Sequence, residues 1–367
     1  MTFINIAVVG LLILQDLLLW LIGRYRFIDH AKHPHSNEWP KVSILVPARN
    51  EEADLPACLR SLEGINYPED KLQFIIGNDE STDRTPSIIK EWTASRNNGI
   101  CISIDGSERK NLNGKAHALS QMVKLAEGEL LLFTDADCMV NEHWVKEMVR
   151  AFHPSYGLVT GITSVRPSIG FAWMQSLDWW VTLGMVKSLS DLGHNVTAMG
   201  NNMLVSKQAY EEVGGFSQVS LSVTEDLALA QALTKKGYRP VQQVSPASLV
   251  ETKSEENFGA LLKQRKRWMS GAMSLPWYWI MLLALQCGFF PAIIWVLFLN
   301  IWWGLGLWLL KITVQSLFIK GIAARAGRSV GGLYLLLFEF YYLKVSWCTI
   351  VYYFWPSSIN WKERHYP

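Results

Sequence analysis

Cysteine is scarce and scattered in this chain of 367 residues. Cys58, Cys101, Cys138, Cys287 and Cys348 form no C-x-x-C pair and stand at no zinc-ligand spacing to histidine. Neither a disulfide framework nor a structural zinc site is therefore supported. Charge of one sign is also missing: 34 basic residues meet 32 acidic ones, leaving a net charge of +2. That balance argues neither for nor against nucleic acid, and no nucleic-acid partner is expected. No internal repeat or low-complexity linker interrupts the chain. The N-terminal apolar run lacks the basic flank and small-residue cleavage site of a signal peptide, so it is read as a retained anchor.

Apolar residues are abundant and unevenly placed. Half of the chain is hydrophobic and 17 residues are tryptophan. Residues 1–23 carry one charge, Asp16, and are long enough to span a bilayer as a helix. Arg24, Arg26 and Lys32 follow, which places the next segment in the cytoplasm, at the inner or plasma membrane. A second apolar stretch, 277–319, is too long for one span and reads as two helices joined near Leu299 to Trp303. Lys320, Arg325 and Arg328 again mark a cytoplasmic end. A third stretch, 330–355, is interrupted by Glu339 and Lys344 and is compatible with spanning, re-entering or lying in the interface. The expected layout is an anchor over 1–23, a cytoplasmic catalytic domain over 40–271, a membrane region over 275–356 and a tail over 357–367.

Between 40 and 271 the pattern changes. "KVSILVPARNEE", "LQFIIGNDESTD", "ICISID" and "ELLLFTDAD" each open with an apolar, strand-like run, and a helical stretch follows each. Alternation of this kind predicts an α/β fold with a parallel sheet covered on both faces. Ligands of such sheets bind beyond the carboxyl ends of the strands, where Asp79, Asp135 and Asp137 fall. Two acids separated by one small residue suit Mg2+ or Mn2+ shared with phosphate; they equally suit a turn or a helix cap. Glu51 and Glu52 have the same double reading, since acids in a helix's first turn offset its dipole. Lys115 opens the helix of "NGKAHAL", as a phosphate contact or as a surface lysine. Glu225 and Asp226 stand in the first turn of a helix whose packed face is Ala228, Leu229, Ala232 and Leu233 and which Gly237 terminates. Gly214 and Gly215 suggest a turn of positive φ.

Taken together, "VPARNEE", "NDESTD", "TDAD", "TED" and "QRKRW" occur in the order found in membrane-bound family-2 glycosyltransferases, and the chain resembles that family over about 41–271. The Q-x-x-R-W motif is shared by processive synthases and ceramide-glucosyltransferase-like enzymes. The resemblance implies a GT-A nucleotide-sugar-binding domain with a mainly parallel sheet, flanked by transmembrane helices. It implies donor contacts from Pro47, Arg49, Glu51, Asp79, Lys115 and Asp135, with Asp79 on the uracil–ribose part of a UDP-sugar. It implies Mg2+ or Mn2+ on Asp135 and Asp137, and catalysis at Asp226 beside Glu225. Gln264 and Arg267 would hold the diphosphate and Trp268 the acceptor, with Asn201 or Asn202 at the acceptor opening. Asn78 stands where the family usually has Asp, and Glu363 where its tail motif has Gly.

The implied reaction is inverting transfer of a sugar from a nucleoside diphosphate to a membrane lipid. A polysaccharide acceptor is the alternative; three or four membrane helices favour the lipid. A rival of another class is a membrane-tethered sensor or assembly subunit that binds nucleotide sugar without turnover. The intact set of Asp135, Asp137, Asp226, Gln264, Arg267 and Trp268 argues against it.

Overall fold

A computed structural model of the protein describes residues 2–32, 38–108, 114–168, 170–218, 224–356, 359–361 and 364–366. Lys362 and Glu363 of the tail motif lie outside the described residues. From the N-terminus, helix α1 (Thr2–Tyr25) precedes β1 (Val42–Ala48), α2 (Leu55–Glu63), β2 (Leu72–Asn78) and α3 (Thr85–Ala94). Next come β3 (Gly99–Ser103), α4 (Gly114–Val123), β4 (Leu130–Thr134) and α5 (Trp144–Ala151). Two short strands, β5 (Leu158–Thr160) and β6 (Ile162–Val165), lead into the long helix α6 (Gly170–Asp191). Then follow β7 (Asn202–Ser206), α7 (Lys207–Glu212), α8 (Gly215–Gln218), α9 (Glu225–Lys235), β8 (Val241–Gln242) and β9 (Leu249–Thr252). The remaining helices are α10 (Phe258–Ala272), α11 (Trp277–Cys287), α12 (Phe289–Leu299), α13 (Ile301–Arg325) and α14 (Gly332–Phe354).

The chain divides into two compact units. A sheet unit holds Ile28–Ser164, Leu189–Lys253 and Asn360–Pro367; a helical unit holds Met1–Phe27, Val165–Ser188 and Ser254–Ile359. The division runs through the 40–271 segment, since most of α6 and all of α10 group with the apolar helices.

The sheet unit is built on seven strands in the order β3-β2-β1-β4-β7-β5-β8. β1, β2, β3 and β4 are parallel; β7 runs antiparallel to β4 and β5, so the sheet is mixed and mainly parallel. The four parallel strands are the ones that the alternating apolar runs identify. Successive residues of a strand face opposite sides, and each side has its own core. Ile44, Val46 and Ile76 pack with Leu55, Leu59, Trp144 and Met148 on one face. Leu45, Ile75 and Phe133 pack with Leu119, Met122 and Leu229 on the other. From β1 the chain moves outward to β2 and β3, then returns to place β4 on β1's other side. The carboxyl ends of β1 and β4 thus form the topological switch point, where open sheets of this kind bind ligands.

Two local devices complete this unit. Gly214 and Gly215 have φ of 75° and 59°, and a Cβ on Gly215 would lie 2.4 Å from the Tyr210 ring. Both positive φ and close approach therefore call for glycine there. Asn202 is fully buried: its side chain accepts from Trp144 Nε1 at 2.9 Å and donates to the carbonyls of Ile162 (2.9 Å) and Ser248 (2.8 Å). It clamps the core and does not line an opening, because all of its amide is already committed inside. Asn201 receives the Thr163 hydroxyl at 3.1 Å, also under cover.

Thr2–Lys32, Trp277–Leu299, Ile301–Arg325 and Gly332–Phe354 are long and apolar enough to cross a membrane. The chain therefore reads as a membrane protein. The joint expected near Leu299 falls at Asn300, whose Oδ1 caps α13 by accepting from Trp302 N (3.0 Å) and Trp303 N (3.1 Å). The third apolar stretch is one continuous helix, α14, and its Glu339 is fully buried against Lys311 of α13. Pairing across two helices removes the objection that a lone charge raises against a span. Replacing Lys311 by Met alone should strand the buried Glu339 carboxylate and lower stability by about 3–5 kcal/mol. The double variant Lys311→Met, Glu339→Gln should recover most of that loss. Thermal melts of the full chain in nanodiscs, followed by circular dichroism, read both effects.

Candidate active site

The sheet unit gathers charged side chains at the switch point, and β1 supplies the first of them. Pro47 sits opposite Gly77 near the end of the β1–β2 ladder. Arg49 follows, and its Nη1 donates to the Asp79 carbonyl at 2.9 Å and lies 3.3 Å from Glu80. Asn50 has φ 51°, a left-handed bend that aims the chain across to the β2 loop. There its N–H donates to Ser81 Oγ (3.1 Å) and its Oδ1 accepts from Thr82 N (2.9 Å). The Asp79 N–H donates back to Ala48 O at 2.8 Å, and Asp79 is only 4 % exposed. The two motif loops are therefore laced into one wall. Asn78, in the position of the family's usual Asp, accepts from Ser81 N at 3.2 Å and holds the turn.

Glu51 is buried, and its N–H donates to Thr85 Oγ1 at 2.8 Å. Its carboxylate lies 3.3 Å from Lys253 Nζ, which is also 2.8 Å from Asp54. Burial opposes the charge on Lys253, but Asp54 and Glu51 outweigh it and raise its pKa. Glu51 is thus an ion-pair partner inside the wall, a job that dipole compensation of an exposed helix end does not require.

The end of β4 delivers Asp135 and Asp137, both partly exposed, on either side of buried Ala136. Lys115 Nζ, from the first turn of α4, lies 2.5 Å from Asp135 Oδ1 and 3.6 Å from Glu225 Oε1. Burial works against the ammonium, yet Asp135, then Glu225, and also Asp226 raise its pKa above the ordinary lysine value. Lys115 is consequently a charged group inside the site and not a surface lysine.

Asp226 stands beside Glu225 in the first turn of α9. Its Oδ2 accepts from Gly200 N at 2.7 Å and its Oδ1 from Leu227 N at 2.8 Å. Burial and the neighbouring Glu225 raise its pKa to about 6, against the opposing pull of Lys115 and the two backbone donors. A carboxylate with that affinity for protons is a better base than a free aspartate. Of the expected α9 face, Ala228, Leu229 and Leu233 are buried and Ala232 partly so, and Gly237 closes the helix with φ 103°.

Two buried thiols lie under the β4 turn: Cys58 Sγ is 3.6 Å from Asp135 O and Cys138 Sγ 3.5 Å from Asp137 Oδ1. Burial first, then Asp137 and Asp135, push both thiol pKa values upward. Both shifts favour the protonated thiol. No group of three His, Cys, Asp or Glu side chains suited to a metal ion occurs among the described residues. Two hard carboxylates on one rim do fit Mg2+ or Mn2+ that takes its remaining ligands from water and a diphosphate.

Gln264, Arg267 and Trp268 lie on α10, in the helical unit. Their i, i+3, i+4 spacing puts them on one side of the helix. Gln264 Nε2 donates to Glu255 Oε1 at 2.7 Å. Lys253, Asp54 and Thr85 escaped the sequence reading because they sit in no motif; only the folded chain brings Lys253 and Thr85 to Glu51.

The chain is similar to several known proteins in family and in fold. A family model described as Glycosyl transferase family 21 matches residues 2–367. A probable glycosyltransferase YdaM of Bacillus subtilis is 24% identical over 73% of this chain and 65% of its own. A beta-monoglucosyldiacylglycerol synthase of Trichormus variabilis is 28% identical over 71% of this chain and 55% of its own. A poly-beta-1,6-N-acetyl-D-glucosamine synthase of Staphylococcus aureus is 29% identical over 69% and 61%. The chain thus spans between 55% and 65% of the length of these relatives. Among solved structures, the mannosyltransferase PcManGT of Pyrobaculum calidifontis, in complex with GDP-Man and Mn2+, shares the fold with a TM-score of 0.60 and 18% identity, covering 96% of this chain and 99% of its own. With a family model matching its whole described length, the chain belongs to glycosyl transferase family 21.

Proposed function

We propose that the protein transfers a sugar from a nucleoside diphosphate, taken as UDP, to a membrane lipid, with inversion at the anomeric carbon. The observation that carries this reading is Asp226: a carboxylate of raised proton affinity, oriented by two backbone donors, in the same unit as the Asp135–Lys115 pair. The names of the relatives support a glycosyltransferase, and those naming a glucosyldiacylglycerol and a poly-N-acetylglucosamine support lipid and polysaccharide acceptors. The polymer reading is the second one that an observation favours. Membrane-length helices support an acceptor that resides in the bilayer. The basic clusters after α1 and within and after the end of α13 favour a cytoplasmic sheet unit.

Each residue has a definite part in this proposal. Asp79, with Arg49 and Pro47, forms the wall for the nucleoside, and Glu51 braces that wall through Lys253. Asp135 and Asp137 would hold Mg2+ or Mn2+, which when bound offsets negative charge on the departing diphosphate. Lys115 brings a second positive charge beside Asp135. Asp226 takes the proton of the acceptor hydroxyl as its oxygen attacks, and Glu225 tunes it. Gln264 and Arg267 are assigned to the diphosphate, where a planar guanidinium matches phosphate oxygens, and Trp268 to the acceptor.

The full chain in nanodiscs should release UDP from one sugar donor of a panel, only with Mg2+ or Mn2+, and EDTA should stop it. Mass spectrometry should show a lipid gaining a single sugar; a ladder of sugars would establish the polymer reading, and release of GDP alone would replace the donor. Asp226→Asn should cut turnover by about 10^2–10^4-fold while donor binding by calorimetry is retained, as expected for loss of a general base. Unchanged turnover removes Asp226 from the mechanism. Because the base must be ionised, kcat/KM should rise with pH through an inflection near 6, the value to which the Asp226 pKa is raised. Glu225→Gln deletes a charge that raises that pKa, so the inflection should move to lower pH.

A further inference from the structure

The sequence of α10 places Arg265 and Lys266 between the named members of Q-x-x-R-W, and the proposed reaction gives neither a role. Helix α6, silent in the sequence, turns out to be paired with this motif. Gln175, Asp178 and Trp179 lie at i, i+3 and i+4 on α6 and so share one side of it. Gln175 exchanges two hydrogen bonds with the backbone of Glu255, each 2.9 Å, and Glu255 in turn receives Gln264 Nε2. Asp178 Oδ2 accepts from Arg265 Nη2 at 2.6 Å. The Trp179 ring meets Trp268 edge to face, with centroids 5.2 Å apart and planes at 79°. The Arg265 guanidinium lies 4.4 Å from the centre of the Trp268 ring.

The Asp178–Arg265 pair has side chains only 6% and 11% exposed. Burial raises the Asp178 pKa while Arg265 pulls it down. A buried ion pair of this kind is an expensive way to join two helices, since apolar side chains of like size do so as well or better. It becomes intelligible if the guanidinium has a second task. A planar cation anchored at one end by a carboxylate can stack on an indole without losing its own orientation. Trp268 is then held on one face by Arg265 and fixed in rotation by Trp179.

We infer that Arg265, held in place by Asp178, is a positioning residue that sets the Trp268 ring for a lipid acceptor, with Trp179 as the second restraint. This inference rests on the reading that Trp268 contacts the acceptor. Lysine at 265 would keep the charge and lose the planar stack, so it separates orientation from simple charge pairing.

The test uses the full chain in nanodiscs and the variants Asp178→Asn, Arg265→Lys, Trp268→Phe and Lys263→Ala, the last an exposed control on the same helix. Near-ultraviolet circular dichroism of wild type minus Trp268→Phe defines the signal of the oriented indole. Arg265→Lys and Asp178→Asn should abolish that same signal. They should also raise the KM for the acceptor lipid about tenfold, the size expected from losing one well-made stacking contact, with kcat and donor KM unchanged. Lys263→Ala should change nothing. An indole signal and acceptor KM both equal to wild type overturn the inference, as does a fall in kcat at unchanged acceptor KM, which marks a general structural role. If Asp178→Asn does not fold, Arg265→Lys decides alone, because it retains the ion pair. If the wild type transfers no sugar from any donor, the proposed reaction falls, and the dichroism of Arg265→Lys still decides whether Trp268 is held as inferred.

Discussion

The ammonium of Lys115 is the charge on which the site depends. Asp135 and Glu225 reach it directly and Asp226 within electrostatic range, from two elements far apart in sequence, β4 and α9. Three carboxylates brought together without it would repel one another. The lysine is itself mostly buried, and desolvation alone would discourage its charge; the acids reverse that. The lysine thus stays charged on account of the acids around it. The same balance sets Asp226, where burial and Glu225 push its proton affinity up and Lys115 limits the rise.

That cluster forms only because the sheet changes direction at β1. With β2 and β3 on one side and β4 on the other, the chain leaves two strand ends open beside each other. The bend at Asn50 and the laced loops behind Asp79 close one side of the opening. Gly200 shapes the neighbourhood of Asp226: its N–H reaches the carboxylate, and a side chain there would press on the same oxygen at 3.2 Å. In the helical unit a comparable economy operates across α6 and α10 and across α13 and α14. Two buried ion pairs join helices there, Asp178 with Arg265 and Glu339 with Lys311.

Sequence-level reasoning reached the parallel strands, the helix at Glu225, the glycine turn at 214–215 and the apolar spans because each is local. A β-branched run, a helical spacing or a run of some 20 apolar residues carries its own period, and neighbours in the chain suffice to read it. It also reached the place of Asp79, Asp135 and Asp137 just beyond strand ends, since the apolar run that marks each strand stops at those acids. It misplaced Asn202, because a polar residue next to a motif looks like a binding group until its core partners are known. It passed over Lys253, Asp178, Arg265 and the whole of α6, whose significance lies in partners some 80 to 200 residues away.

By itself, the sequence determined the fold class, the membrane-length helices and the order of the acidic motifs along the strands. Those follow from hydrophobic periodicity and from resemblance, which need no third dimension. Tertiary structure decided which charges pair: Lys115 with Asp135 and Glu225, Lys253 with Glu51 and Asp54, Lys311 with Glu339, Arg265 with Asp178. The reason is electrostatic. The ionisation and orientation of a buried group depend on partners within a few ångströms, and distance in space has no fixed relation to distance along the chain.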